Sequence, residues 1–216
     1  MTEETSAPVP AGFSKHRIEA LNDGIFAIAM TLLVLGIEVP KYADPPAVNH
    51  LLLTLIPDII HYVVAFLALA ILWILHHQQF HYIRFINHPL LWLNIMWLML
   101  VGLVPFSTSL ADTYYGLEFS RIPFALNLLF ISLLLFAQWQ YAARNRELII
   151  PGMTGGMIAL EQNRIIVILL ITFFGTLLSF ISIIEGIFVY LLIPLIFAFF
   201  PRIHGRVMEM ANRREP

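Results

Sequence analysis

Residues 17–40 read RIEALNDGIFAIAMTLLVLGIEVP. A helix of that length, rising about 1.5 Å per residue, crosses a hydrocarbon core of about 30 Å. Its entrance carries Arg17, Glu19, Asn22 and Asp23, its middle a hydroxyl at Thr31, and its exit Glu38 just before Pro40. Polar groups inside hydrocarbon are costly and usually face protein or water. The pattern therefore predicts a working helix that the remaining spans hold in place.

The rest of the chain agrees with a membrane setting. Of 216 residues, 59% are hydrophobic and 12% charged, against roughly half and a quarter in soluble domains. Mean hydropathy is +0.82. The fold class this predicts is an all-α integral membrane protein. The net charge of −2 offers no basic field for nucleic acid. With no cysteine in the chain, disulfides, thiolate metal sites and cysteine nucleophiles are excluded. Residues 1–16 carry Glu3, Glu4, Pro8 and Pro10 without an apolar core; they read as a disordered tail, not a cleaved signal peptide.

Six stretches are long and apolar enough to span: 17–39, 51–77, 89–110, 121–143, 162–182 and 185–201. Pro57 and Asp58 fall in the first turns of the second, and Pro89 suits the first helical position of the third. The last two are so close that they form a tight hairpin, with Glu185 at its turn. The membrane unit is thus 17–201, followed by a basic tail at 202–216. The stretch 151–161, PGMTGGMIALE, is the longest non-membrane segment, which leaves no room for a soluble catalytic domain.

Basic residues set the orientation. With a cytoplasmic amino terminus, Lys15, Arg17, Arg84, Arg144, Arg146, Arg164, Arg202, Arg206, Arg213 and Arg214 lie inside, and only Lys41 and Arg121 outside. Six spans place both termini inside. No internal repeat is present, so any symmetric assembly must come from several copies of the chain.

Within the first span, Leu21, Ile25, Ile28, Leu32 and Leu35 fall on one stripe, with Thr31 at its edge. Asp23, Ala27, Met30, Val34 and Ile37 fall on another. The simplest reading of the leucine stripe is packing against helices or lipid, and of Thr31 a hydroxyl bonded back to its own helix. Asp23 needs a partner. Candidates are Trp73, His76, His77 and Phe80 at the end of the second span and Asn94 in the third. A hydrogen-bonded cluster of Arg17, Asp23, a histidine and Asn94 is expected. His76, His77 and His81 have spacings compatible with one helical face, which raises a metal or haem site. Matching carboxylate or sulfur partners are missing, so hydrogen-bonding interfacial histidines are the preferred reading. Phosphate loops, HExxH, GxSxG, a TVGYG filter and paired broken helices are all absent from the sequence.

The opening of the first span resembles the R-x-x-x-F-S-D motif of the transmembrane protein 175 family, the endosomal and lysosomal potassium channels and their prokaryotic relatives. The matching residues are Arg17 and Leu21-Asn22-Asp23, running on as GIFAIAMTLLVL through Leu35. Trp73, His76 and His77 match a W-x-x-H-H pattern, Asn94 follows in the third span, and VPFST stands at 104–108. Leu21 and Asn22 depart from the motif's phenylalanine and serine. The resemblance covers the first three spans by motif and the rest by hydropathy.

That resemblance implies six transmembrane helices per subunit, with the first helix lining a central pore in a homotetramer and no re-entrant loop. Carried over by position, Ile28 is the hydrophobic constriction, Thr31 the hydroxyl layer linked to potassium preference, and Leu35 a further apolar ring. Arg17, Leu21, Asn22, Asp23, Trp73, His76, His77 and Asn94 form the motif and anchoring network. Leu32 adds to the apolar lining, and Glu38 stands at the outer mouth. The expected function is a potassium-permeable cation channel in a prokaryotic plasma membrane, with no enzymatic activity and no cofactor besides the permeant potassium ion. Its partners are the bilayer and further copies of itself; other monovalent cations or protons are further permeants. The alternatives are a proton leak or proton-linked transporter using Asp23 and the nearby histidines, a haem or enzyme site at the histidines, and a scaffold without conductance.

Overall fold

The computed structural model describes residues 14–37, 39, 48–114, 117, 119–181 and 189–190. These residues form six helices: α1 (Lys15–Leu33), α2 (Val48–Tyr82), α3 (His88–Gly102), α4 (Val104–Thr113), α5 (Ile122–Arg144) and α6 (Gly155–Ser179). One 3-10 turn, Val34–Gly36, extends α1, and another, Arg146–Leu148, follows α5. Five apolar helical stretches among the described residues are long enough to cross a membrane, α3 and α4 together counting as one. Only positions 189–190 of the expected sixth span are described. The tails at 1–13 and 202–216, Lys41, Glu38 and Glu185 lie outside the described residues.

Three boundaries differ from those expected. The second span runs from Val48 to Tyr82 instead of 51–77. Its 35 residues amount to about 52 Å of helix, well beyond a hydrocarbon core of about 30 Å. Pro57 lies inside it, past the first turn, so it removes one backbone hydrogen bond of the ladder, yet the helix continues through it. The stretch read as a 151–161 loop is helical from Gly155, because the Thr154 side chain accepts a hydrogen bond from the Met157 backbone N–H at 3.3 Å and caps the helix.

The third boundary is a break. The 89–110 span is two helices meeting at Leu103, whose backbone N–H turns back to Leu100 at 3.1 Å. Pro105 has no N–H to continue the ladder, so the helix must bend there. The bend is stitched to α5 by Asn127, whose amide nitrogen donates to the Leu100 carbonyl at 3.1 Å.

The core follows from the apolar faces these helices share. Leu90, Trp97, Leu98 and Val101 of α3 pack with Ala125, Leu128, Ile131, Leu135 and Trp139 of α5 and with Ala65, Leu69 and Leu75 of α2. The Trp97 indole N–H donates to the Ile131 carbonyl at 3.1 Å, so the largest core ring leaves no orphan donor. Helices α5 and α6 run antiparallel. Trp139 donates to the Ile158 carbonyl at one end, and the Thr176 hydroxyl reaches the Ala125 carbonyl at 3.1 Å near the other. There Arg121 caps the Ser179 carbonyl, a cation at a helix carboxyl end.

At Gly175 the packing leaves no space for a side chain. A Cβ there would lie 2.8 Å from Cε1 and 2.9 Å from Cζ of Tyr190, a ring that also meets Phe124 edge-on at 5.8 Å between centroids. Gly175→Ala is therefore expected to cost about 1–3 kcal/mol by overpacking, read as a lowered melting temperature in detergent. An unchanged melting temperature would mean that Tyr190 does not sit against α6.

Candidate functional site

Helix α1 has three faces. Neither stripe marked out in the sequence provides its main contact with the bundle. That contact is a third face, Ile18, Asn22, Phe26, Ala29 and Leu33, all buried. Phe26 meets the Trp97 ring at 5.3 Å between centroids. The opposite side, with Leu21, Gly24, Ala27, Ile28, Thr31, Leu32 and Leu35, is open. Ile28 is 60% and Leu35 73% exposed, against 2% for both Phe26 and Ala29.

The buried face is fixed by a polar chain. His76 Nε2 donates to Asn94 Oδ1 at 2.8 Å, and Asn94 Nδ2 donates to Asn22 Oδ1 at 2.9 Å. One asparagine thus ties α2, α3 and α1 together. The imidazole is stacked against Trp97 on one side and Phe80 on the other, each with centroids 4.1 Å apart. That sandwich fixes the ring plane and points Nε2 at Asn94. Buried polar groups of this kind are stable only when paired.

A second contact joins the first two helices at the edge of the open face. The Trp73 indole N–H donates to Asp23 Oδ1 at 2.8 Å. Trp73 in turn stacks on His77 at 5.5 Å between centroids. Asp23 itself remains exposed.

The expected cluster therefore divides in two. Asn94 and a histidine meet inside the bundle, but their partner on α1 is Asn22, not Asp23. Arg17 is exposed and makes no ion pair or side-chain hydrogen bond among the described residues. It sits on the first turn of α1, on the exposed side. Asn22 belongs to the expected anchoring network as a motif position where asparagine replaces serine, but the sequence does not single it out as the partner of Asn94. Its amide length is what lets it reach Asn94, and its place one turn before Phe26 on the buried side was the available signal.

The three histidines do not converge. His76 is buried in the network, His77 is exposed on Trp73, and His81 is exposed beside the Tyr82 ring. Among the described residues no group of three histidine, aspartate or glutamate side chains is arranged to hold a metal.

Thr31 points to the open side but gives its hydroxyl proton back to its own helix, at 3.0 Å from the Ala27 carbonyl and 2.9 Å from Ile28. The oxygen lone pairs are then left on the outer surface of the helix. Leu32 and Leu35 follow along the same side, and the 3-10 turn at Val34–Gly36 packs on α4, where a Cβ added at Gly36 would lie 3.9 Å from Ser109 Cβ.

The polar chain has a measurable consequence. Asn94→Ala removes two hydrogen bonds at once and is expected to cost about 1–2 kcal/mol of stability in detergent or lipid. Adding Asn22→Ala should cost little more, because its partner is already gone. Fully additive losses would show that the two amides do not act as a pair.

The chain is similar to known proteins. Residues 17–105 match the family model described as endosomal/lysosomal potassium channel TMEM175. A potassium channel of Streptomyces collinus is 36% identical over 139 residues, covering 62% of this chain and 68% of the relative. The endosomal/lysosomal proton channel TMEM175 of Rattus norvegicus is 29% identical over 168 residues, 71% of this chain but 34% of that one. A crystal structure of a lysosomal potassium-selective channel TMEM175 homolog from Chamaesiphon minutus superposes with a TM-score of 0.75 at 29% identity, over 86% of this chain and 96% of that one. With the family match beginning at Arg17 and two thirds of a bacterial relative accounted for, the chain belongs to the TMEM175 family.

Proposed function

We propose that the chain is one subunit of a homotetrameric, potassium-permeable cation channel whose pore is lined by the open face of α1. The observation that carries this reading is the composition of that face. It is apolar at Ile28, Leu32 and Leu35, yet it also presents Asp23 and the Thr31 oxygen. Helix α1 is long enough to span, and polar or charged groups that face lipid within a span are costly. Copies of the same helix around an axis would give Asp23 and Thr31 water instead, while the buried Asn22–Phe26 side stays on its own bundle. The relatives named as potassium channels support the choice of ion.

The mechanism follows from the order of side chains along the helix. A narrow ring of Ile28 and Leu35 resists wetting and blocks ions until it widens. Thr31, one turn beyond Ile28, supplies a hydroxyl layer. A hydroxyl that has donated its proton to its own backbone keeps its lone pairs for a cation. Potassium loses hydration water more readily than sodium, so partial dehydration there favours potassium. Glu38, at the outer mouth, would concentrate cations by its charge. The amino terminus and the Arg84 and Arg146 loops would face the cytoplasm of a prokaryotic cell, as the ten-to-two distribution of basic residues suggests.

A second reading, proton permeation through Asp23 and the histidines beside it, is favoured by one observation. The vertebrate relatives are named proton channels. The Asp23–Trp73 contact puts a carboxylate at the entrance of the same face.

One flux experiment separates the two readings. Protein in liposomes with opposed potassium and sodium gradients, run at two pH values, should give a reversal potential that follows potassium and not the proton gradient. Ile28→Asn should raise the leak about tenfold, equivalent to lowering the barrier by about 1.4 kcal/mol. Thr31→Ala should reduce potassium preference roughly threefold, the loss of about 0.6 kcal/mol of differential ligation. A current that tracks only protons would replace the first reading with the second. Wild-type behaviour in both variants would remove α1 from the ion path.

A further inference from the structure

At the basic end of the bundle two loops that are distant in sequence are joined into one surface. The loop after α2 and the loop after α5 meet in an antiparallel bridge between Ile83 and Ile149. Arg84 N–H donates to the Leu148 carbonyl at 2.7 Å, and Ile150 N–H donates to the Tyr82 carbonyl at 3.0 Å. Beside this bridge lies a cavity of about 310 Å³. Arg84 enters it from one loop and Arg146 from the other, with Glu147 at its side. Ile150 and Met153 supply apolar wall, and the turn is closed at Gly152, whose φ of 87° is a conformation that glycine adopts freely.

The charges there are unspent. Neither Arg84 nor Arg146 pairs with a carboxylate among the described residues. Arg84 instead lies 4.6 Å from the centroid of the Phe85 ring, a contact that leaves its N–H edge free to bind. Guanidinium groups bind phosphate oxygens in bidentate fashion. Two of them at one cavity, against a single carboxylate, make a net positive receptor with an apolar wall. The loops lie where the membrane-spanning helices α2 and α5 end, the level at which lipid headgroups lie.

We propose that the Arg84–Arg146 cavity binds a phosphate group, with the phosphate oxygens on the two guanidinium groups and any neighbouring non-polar atoms on Ile150 and Met153. The shared chemistry is that of an anionic lipid headgroup or of a free phosphate; the apolar wall and the position at the helix ends favour the headgroup. Occupancy would clamp the α2–α3 and α5–α6 loops together. The α2–α3 loop joins the two helices that hold His76 and Asn94.

The test uses the full-length protein in detergent, followed by native mass spectrometry with phosphatidylglycerol, phosphatidylcholine or inorganic phosphate added separately. Wild-type protein should retain phosphatidylglycerol at least about fivefold better than the double variant Arg84→Ala/Arg146→Ala, as two lost charge-assisted contacts require. Arg213→Ala/Arg214→Ala, which removes two charges from the carboxyl-terminal tail, should bind like wild type. Glu147→Gln should bind more tightly, a gain that misfolding cannot mimic. Equal dependence on Arg84 and Arg146 for inorganic phosphate would identify free phosphate as the ligand. Retention of every phosphate ligand unchanged in the double variant, or weaker binding in Glu147→Gln, would overturn the site.

Discussion

The side-chain amide of Asn94 is the contact on which the other features depend. It is fully buried, it accepts from His76 on α2, and it donates to Asn22 on α1. In hydrocarbon, where neighbouring helices gain little from burying apolar surface against one another, such polar links carry orientation out of proportion to their energy. The amide fixes which side of α1 turns inward. Once Asn22 and Phe26 are committed to the bundle, the helical repeat leaves Ile28, Thr31 and Leu35 on the other side, with no further choice available.

The same logic explains why the histidine is packing material as much as a polar group. His76 is held flat between Trp97 and Phe80, and Trp97 is itself anchored to the Ile131 carbonyl of α5. The orientation of α1 is thus connected through two aromatic contacts and two amides to the centre of the molecule. The break at Leu103 adds a separate device. It lets α4 leave the line of α3 and pack against the end of α1, near Gly36 and Ser109.

Much of this was legible in the sequence, and the misses have physical causes. Apolar length identified the five membrane-length helices found among the described residues, and the motif residues Asp23, Trp73, His76 and Asn94 do meet α1 or one another. The pairing within that set was not legible. Arg17 and Asp23 have the larger charges, so they drew attention as the anchoring pair, while the neutral amide of Asn22 makes the buried contact. Neighbours in sequence differ by about 100° around a helix, so shifting attention by one residue moved the contact to the wrong face. The capping by Thr154 was a local signal that hydropathy alone does not weigh, and it turned an expected loop into the first turns of α6. The VPFST stretch at 104–108 contains the proline that breaks the third span, but the apolar run through it concealed the bend. The proposed tetramer, in which copies of α1 would meet, involves other chains, which a single sequence and a single subunit do not contain.

The central claim is that the open face of α1 is the ion path. Because the chain has no cysteine, single substitutions Ile28→Cys, Thr31→Cys and Leu35→Cys can each be treated with a cationic thiol reagent during potassium flux. Leu53→Cys on the exposed side of α2 serves as the comparison. The account predicts that modification alters flux at positions 28, 31 and 35 and leaves it unchanged at 53. Flux that is insensitive at all three α1 positions would contradict it.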